Sequence, residues 1–166
     1  MAYMTISTSG FDNLDAMLAR LGEHAQDVAS GSLFDGAGIV ADAYTAAINS
    51  IVSEDFNYVA NGEAAGVKRY ASHEEKAALM GKSGVAKFIK TGEEVNTLVG
   101  FSGQAGYATV GGKPKAVRLI ARAINSGTSF MHKQPVFRKA VTSSQGAAKA
   151  AIISKAEQMF NELIGG

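Results

Sequence analysis

Apolar residues recur every three or four positions in four segments of the sequence, and this spacing most constrains the fold. Such a repeat places the apolar side chains on one face of an α-helix. It predicts helices over residues 12–21, 36–56, 114–126 and 144–164. We expect Gly22 to end the first helix, Asp35 to cap the start of the second, and Gly127 to cap the end of the third.

The segments between these helices are rich in glycine and in residues that favour strands. Residues 2–8 alternate in a pattern that suits a short strand, and residues 94–101 are rich in β-branched side chains. A turn over 102–106 predicts a hairpin of about residues 93–110, whereas 85–89 suit one or two helical turns. Residues 57–71 show no period, so we expect a mobile segment there.

A capping box is written in the sequence Ser72-His73-Glu74-Glu75. In this motif the serine side chain accepts from the amide three residues on, and the glutamate reaches back to the serine amide. A short helix to about Met80 should follow. Together these patterns predict one α+β domain over residues 1–166, with a small antiparallel β-sheet, three to four flanking helices and long flexible loops.

Charge is unevenly distributed along a chain whose net charge is only +1. Residues 1–63 carry nine acidic residues and one basic residue, so the remainder carries a net charge of +9. Such asymmetry is typical of a surface that meets another surface, and it also arises when two halves interleave in one fold.

Sequence patterns of enzymes and cofactor sites are incomplete in this chain. It has no cysteine, and its three histidines are widely separated, so thiol chemistry is excluded and a metal site is not expected. Residues 36–41 match the spacing of a dinucleotide-binding turn and 81–83 resemble the end of a phosphate-binding loop, but neither follows a strand. We therefore predict no enzyme activity, catalytic residue, cofactor or metal. No apolar run is long enough for a membrane span, so we expect none.

Every charge between Lys113 and Lys139 is positive. The cluster suits contact with phosphates or docking on an acidic protein surface. Aromatic residues are sparse in it, and no helix-turn-helix or RNA-binding motif surrounds it, which favours a protein partner.

Two segments resemble the tail-component or tail-completion proteins of tailed bacteriophages. One is Gly10 to Leu18, which leads into the first helix, and the other runs from Leu119 to Ala140. The second is similar to the family pattern of an element ending in Gly-Thr-Ser, a short loop, and Gln-Pro-Phe-x-Arg-x-Ala at the start of the last helix. Residues 83–89 resemble a weaker family segment.

The resemblance implies a non-enzymatic α+β subunit of the neck, where head and tail join. Such subunits form rings, commonly of six copies, and contact a connector or head-closure protein on one side and a tail terminator or tube on the other. DNA would pass through the lumen without specific recognition. The virion would be its location, after assembly in the host cytoplasm, and the alternative is a small nucleic-acid-associated protein using residues 113–139.

Interface residues are expected in the loop from Gly127 to Arg138 and on the helix before it. Gly127 would supply the turn, Pro135 would stiffen the loop, and Phe137 would either anchor it or belong to the core. The full predicted set is Arg118, Arg122, Gly127, Thr128, Ser129, Gln134, Pro135, Phe137 and Arg138.

Overall fold

The computed structural model describes residues 12–55, 68–87, 89–91, 94–108 and 114–165. These residues form four helices, namely α1 (Asp12–Asn49), α2 (His73–Leu79), α3 (Val117–Ser126) and α4 (Val136–Gly165). They also form eight short strands, namely β1 (Ser53–Glu54), β2 (Ala71–Ser72), β3 (Ser83–Val85), β4 (Ile89–Thr91), β5 (Glu94–Asn96), β6 (Val99–Phe101), β7 (Gln104–Ala108) and β8 (Pro114–Ala116).

The strands pair two by two in the described part of the chain. Pairs β3–β6, β4–β5 and β7–β8 are antiparallel, and the pair β1–β2 is parallel. Helices thus accompany small, mainly antiparallel sheets, and the predicted α+β class is confirmed.

One continuous helix, α1, replaces the two helices expected in the first third of the chain. It is 38 residues long and passes through Gly22 and through residues 23–35, which lie between the two predicted helices. The prediction of Asp35 as an N-cap is therefore wrong, because Asp35 lies in the middle of α1. The hydroxyl groups of Ser30 and Ser32 donate to the carbonyls of Gln26 and Val28, four residues back, and so leave the helix intact.

α4 begins at Val136, eight residues before the expected start, and runs antiparallel to α1. A Cβ atom on Gly36 would lie 2.4 Å from Ile152 Cγ1, and one on Gly31 would lie 2.9 Å from Met159 Sδ. Close approach of the two helices at these glycines stabilises α1 where sequence propensity predicts a break. We call residues 22–42 of α1 together with 144–165 of α4 the stalk.

The described residues between 43 and 143 form the core lobe. Its main apolar cluster takes side chains from all four helices, and Leu79, Val117, Ile120, Ile124 and Met131 are fully buried in it. Tyr44, Phe101 and Phe137 form an aromatic group beside it, with ring centroids 4.9–5.6 Å apart. The end of α1 and the start of α4, which continue from the stalk, thus pack within the lobe.

Strand pairing differs from the sequence prediction between residues 83 and 116. Residues 83–85 form β3, which pairs with β6, so helical turns do not begin at Val85. The hairpin expected over about residues 93–110 is not formed, because β6 pairs with β3 and β7 pairs with β8. Pro114 starts β8 rather than the first turn of α3.

Two local predictions are confirmed in detail. The Ser72–Glu75 capping box is present, with the Glu75 amide 3.1 Å from Ser72 Oγ and the Ser72 amide 2.9 Å from Glu75 Oε2. On α3 the predicted apolar stripe is buried and the helix ends at Gly127.

Two other predictions fall outside the described residues. These are the strand over 2–8 and most of the mobile segment over 57–71. The described end of that segment, residues 68–71, is tied to the rest of the lobe, since Arg69 forms a parallel bridge with Met131 and Ala71 belongs to β2.

Candidate interaction surface

The segment between α3 and α4, residues 127–135, carries most of the predicted interface residues, and we call it the connector. Its first residue, Gly127, has φ 74° and donates its amide to the Ala123 carbonyl at 2.8 Å. A Cβ atom there would lie 3.1 Å from the Lys133 amide nitrogen. Glycine is therefore required both by its left-handed φ and by the backbone that folds over it.

Backbone hydrogen bonds hold the connector in one shape. The Thr128 amide donates to the Met131 carbonyl, and the Phe130 amide donates to Thr128 Oγ1. Arg69 binds the connector from outside, because its amide donates to Phe130 and its carbonyl accepts from His132. This leaves the side chains of Ser129 and Phe130 exposed at the turn.

Gln134 turns inward and fixes the end of the connector. Its Oε1 accepts from the Val52 amide at 2.8 Å, and its Nε2 donates to the Val52 carbonyl at 3.0 Å. Its own amide donates to the Ile124 carbonyl. Gln134 therefore joins the ends of α1 and α3 to the start of α4 and does not present its side chain to a partner.

The first turn of α4 contains two predicted interface residues, of which one is buried and the other is exposed. Phe137 is 6% exposed and contacts Tyr44 and Phe101, so it belongs to the core, as the alternative interpretation predicts. Arg138 is exposed, and its amide donates to Asn125 Oδ1 at 3.2 Å. Asn125 thus caps α4 from α3, because an amide in the first helical turn lacks a partner within its own helix.

A buried ion pair fixes the side chain of Arg69, the residue whose backbone binds the connector. The guanidinium of Arg69 donates to both carboxylate oxygens of Glu75, at 2.7 and 2.9 Å. Burial raises the pKa of Glu75, but the hydrogen bonds from Arg69 and Ser72 and the positive charges of Arg69 and Lys115 outweigh it. The pKa of Glu75 therefore lies below its ordinary value of 4.5.

Beside the connector, α3 presents a face that is both basic and apolar. Arg118 and Arg122, one turn apart, are exposed on the same side of Leu119, whose exposed fraction is 48%. Neither arginine makes a salt bridge with any described residue. We call these three residues the basic face.

Charge in the folded chain separates by region, in addition to its separation along the sequence. The stalk carries six acidic and two basic residues, a net charge of −4. The described core lobe carries five acidic and twelve basic residues, a net charge of +7. The two halves of the sequence do mix within the lobe, because Glu54 and Asp55 lie there beside Tyr70 and His73.

The incomplete cofactor and metal motifs do not acquire a site in the described residues. Gly36 and Gly38 lie inside α1, far from the start of a helix, where a dinucleotide-binding turn would have to be. Within the residues that the structure describes, no three His, Asp or Glu side chains lie together as metal ligands would.

Comparison of the chain with protein-family models, curated proteins and solved structures finds no match. None of the described helices combines the length and apolarity needed to cross a lipid bilayer.

The roles of two side chains at this surface were not predicted from the sequence. Gln134 was assigned to an interface, and Asn125 was assigned no role in the fold. Their partners, Val52 and Arg138, lie 82 and 13 residues away in the sequence. No local sequence pattern predicts such a bond, because glutamine and asparagine are usually surface residues.

Proposed function

We propose that this protein is a structural, non-enzymatic subunit of a tailed-phage virion that acts at the neck, in a ring between the head connector and the tail tube. The observation that carries the proposal is the geometry of the segment between α3 and α4, residues 127–135. This segment lies within the residues that resemble the tail-completion family, from Leu119 to Ala140, and its ends are fixed by Gly127 and Gln134.

The connector supports the proposal through the match between family pattern and geometry. The glycine of Gly-Thr-Ser has the positive φ, and the glutamine of Gln-Pro binds across the fold to Val52. The following phenylalanine enters the core. These contacts fix the backbone of the segment, and the exposed residues between them, Ser129 and Phe130, are then available to a partner.

The separation of charge supports a role in assembly. A ring requires heterologous interfaces, in which one face of a subunit meets a different face of the next. An acidic stalk and a basic lobe on the same chain favour contacts between unlike regions and disfavour contacts between like ones. Assembly of virions in the host cytoplasm is part of the same proposal.

Reconstitution of head–tail joining tests the proposal. Phage particles produced without this protein should accumulate unjoined heads or tails, and addition of the purified chain should restore joined particles in negative-stain images. The variant Phe130→Asp alters the exposed turn of the connector and should reduce joining, whereas Leu98→Asp, at an exposed position of the lobe away from the connector, should leave joining unchanged.

Two results would contradict the proposal. One is that the pure chain never associates with connectors or tail tubes. The other is that particles lacking it are joined normally.

A second candidate function is a small nucleic-acid-associated protein, which the exposure of Arg118, Arg122 and Lys133 favours. Binding through phosphates would weaken steeply as salt rises. If this function is correct, Arg118→Ala with Arg122→Ala should abolish retention on DNA at low salt. The phage proposal instead expects no sequence-specific binding.

A further inference from the structure

One side of α4 in the stalk carries an apolar stripe that the described elements cover only in part. Ile153, Glu157, Phe160 and Ile164 are spaced by four, three and four residues and therefore lie along one side of the helix. Among the described helices, α4 packs mainly against α1, whose Gly36 and Gly31 lie close to Ile152 and Met159. Ile153 is 49% exposed, Ile164 is also exposed and Phe160 is half-buried, and we call these four residues the outer stripe.

The position of the outer stripe makes its exposure unusual. Among the described elements the stalk consists of two helices, which meet closely where Gly31 and Gly36 of α1 lie against Met159 and Ile152 of α4. A pair of helices gains most of its stability from burying an apolar face. A stripe of large apolar residues that stays partly exposed on such a pair is a typical binding surface.

Chemistry complementary to the outer stripe is found on the basic face of α3. There Leu119 provides an apolar contact, and Arg118 and Arg122 lie together beside it. In the outer stripe the apolar residues surround Glu157, which makes no salt bridge with any described residue. Two like charges one helical turn apart repel each other, and a carboxylate placed between them removes that cost.

We propose that the outer stripe of one copy binds the basic face of the next copy, with Ile153 and Phe160 against Leu119, and Glu157 between Arg118 and Arg122. The occupant is a second copy of this chain because both complementary surfaces belong to it. The net charges of stalk and lobe, opposite in sign, favour the same orientation over large distances.

This contact joins unlike faces, so a pair of subunits still has one free outer stripe and one free basic face. Addition of further copies then proceeds until the chain of subunits closes into a ring. The inference rests on the proposed ring assembly but is narrower, since it assigns the two faces that the ring uses.

Cross-linking can test the contact cleanly because the chain contains no cysteine. The double variant Leu119→Cys with Ile153→Cys places one thiol on each face, both at exposed positions. Treatment of the full-length protein with a short bismaleimide should give a ladder of dimer, trimer and larger covalent species on a denaturing gel. Each single variant should give no ladder, because one thiol per copy cannot extend a head-to-tail series.

The matched control is Leu98→Cys with Ile153→Cys, since Leu98 is 66% exposed but belongs to neither of the two faces. It should remain monomeric on the gel. Absence of a ladder in the test pair, or an equal ladder in the control pair, overturns the assignment. So does efficient dimerisation of the single variant Leu119→Cys, because that result would show a symmetric contact.

Charge exchange provides a second measurement on the same contact. Arg118→Glu with Arg122→Glu should reduce the cross-linked fraction about tenfold, as should Glu157→Lys alone. The triple variant combines all three substitutions and should restore cross-linking, because the charges are then complementary again. Lys82→Glu, an exposed change of lobe charge outside both faces, should have little effect, and circular dichroism should show that every variant is folded.

The two proposals fail in different experiments. If the chain joins heads to tails but gives no ladder, it forms its ring through other faces and only this inference is wrong. If the ladder forms but the chain never associates with connectors or tail tubes, the contact between copies stands and the neck function is wrong.

Discussion

In the core lobe, apolar side chains from all four helices enclose one another, whereas in the stalk two helices meet with glycines of α1 against Ile152 and Met159 of α4. The lobe accordingly buries large residues such as Leu79 and Ile120 completely, and the stalk buries mainly glycine, alanine and serine. The lobe is therefore stable through its own packing. Ile153 and Ile164 of the stalk remain exposed to a partner.

Substitution of the same residue type in the two regions gives the sharpest comparison. Phe137→Ala should lower the free energy of unfolding by about 3–5 kcal/mol, because it empties a buried site in the aromatic group. Phe160→Ala should cost less than about 1 kcal/mol in the monomer, since Phe160 is half-buried on the outer stripe. Urea denaturation followed by circular dichroism measures both, and equal losses would contradict the distinction between lobe and stalk.

The buried ion pair of the lobe should also make this region sensitive to acid. Arg69→Ala should cost about 3 kcal/mol at neutral pH, because it leaves the Glu75 carboxylate buried without its counter-ion. The pKa of Glu75 is lower in the folded than in the unfolded chain, so its contribution to stability is complete above the ordinary glutamate pKa and is lost as the pH falls through the folded value.

Denaturant titrations over a range of pH check this prediction. The wild type should lose stability on acidification more steeply than Glu75→Gln, and the cost of Arg69→Ala should shrink as Glu75 becomes protonated. Parallel pH profiles for the wild type and Glu75→Gln would show that the pair contributes nothing to the acid response.

Two glycines of the stalk, only two residues apart, should respond with opposite signs. A methyl group at Gly36 meets Ile152 and lies 3.0 Å from the Ala148 carbonyl oxygen, so Gly36→Ala should destabilise by about 1 kcal/mol after the gain in helix propensity is included. A methyl group at Gly38 meets nothing within 4 Å, so Gly38→Ala should stabilise by about 0.5–1 kcal/mol.

Thermal denaturation should resolve these changes, which correspond to shifts of about 2–4 °C per kcal/mol in a chain of this size. Adding Ile152→Ala to Gly36→Ala should remove the overpacking part of the loss. If Gly36→Ala is as stabilising as Gly38→Ala, the two helices of the stalk do not approach as closely as described.

Local patterns predicted those elements whose bonds lie within a few residues. The capping box at Ser72 and Glu75 is formed by groups three residues apart, and the stripe on α3 needs only helical spacing to define its buried side. The turn at Gly127 likewise follows from a glycine just after a helix. These features are determined by local geometry, so the sequence alone is sufficient to find them.

Contacts between residues far apart in the chain decided the features that were predicted wrongly from the sequence. Gly22, Gly31 and Gly36 argue for breaks in α1 when propensity alone is considered, but packing of Gly31 and Gly36 against α4 keeps the helix continuous. The partner of β6 was also misassigned, because strand residues look alike whether they pair with a strand before them or after them.

The candidate site divides in the same way. Which residues belong to the connector, and which residues on α3 are basic, could be read from the sequence. Local sequence patterns were thus sufficient for the capping box, the stripe of α3, the turn at Gly127 and the chemical character of each face. The burial of Gln134 and Phe137, the exposure of Arg118 and Arg122, and the separation of acidic and basic residues into stalk and lobe depend on contacts between residues far apart in the chain, so they are visible only in the folded protein.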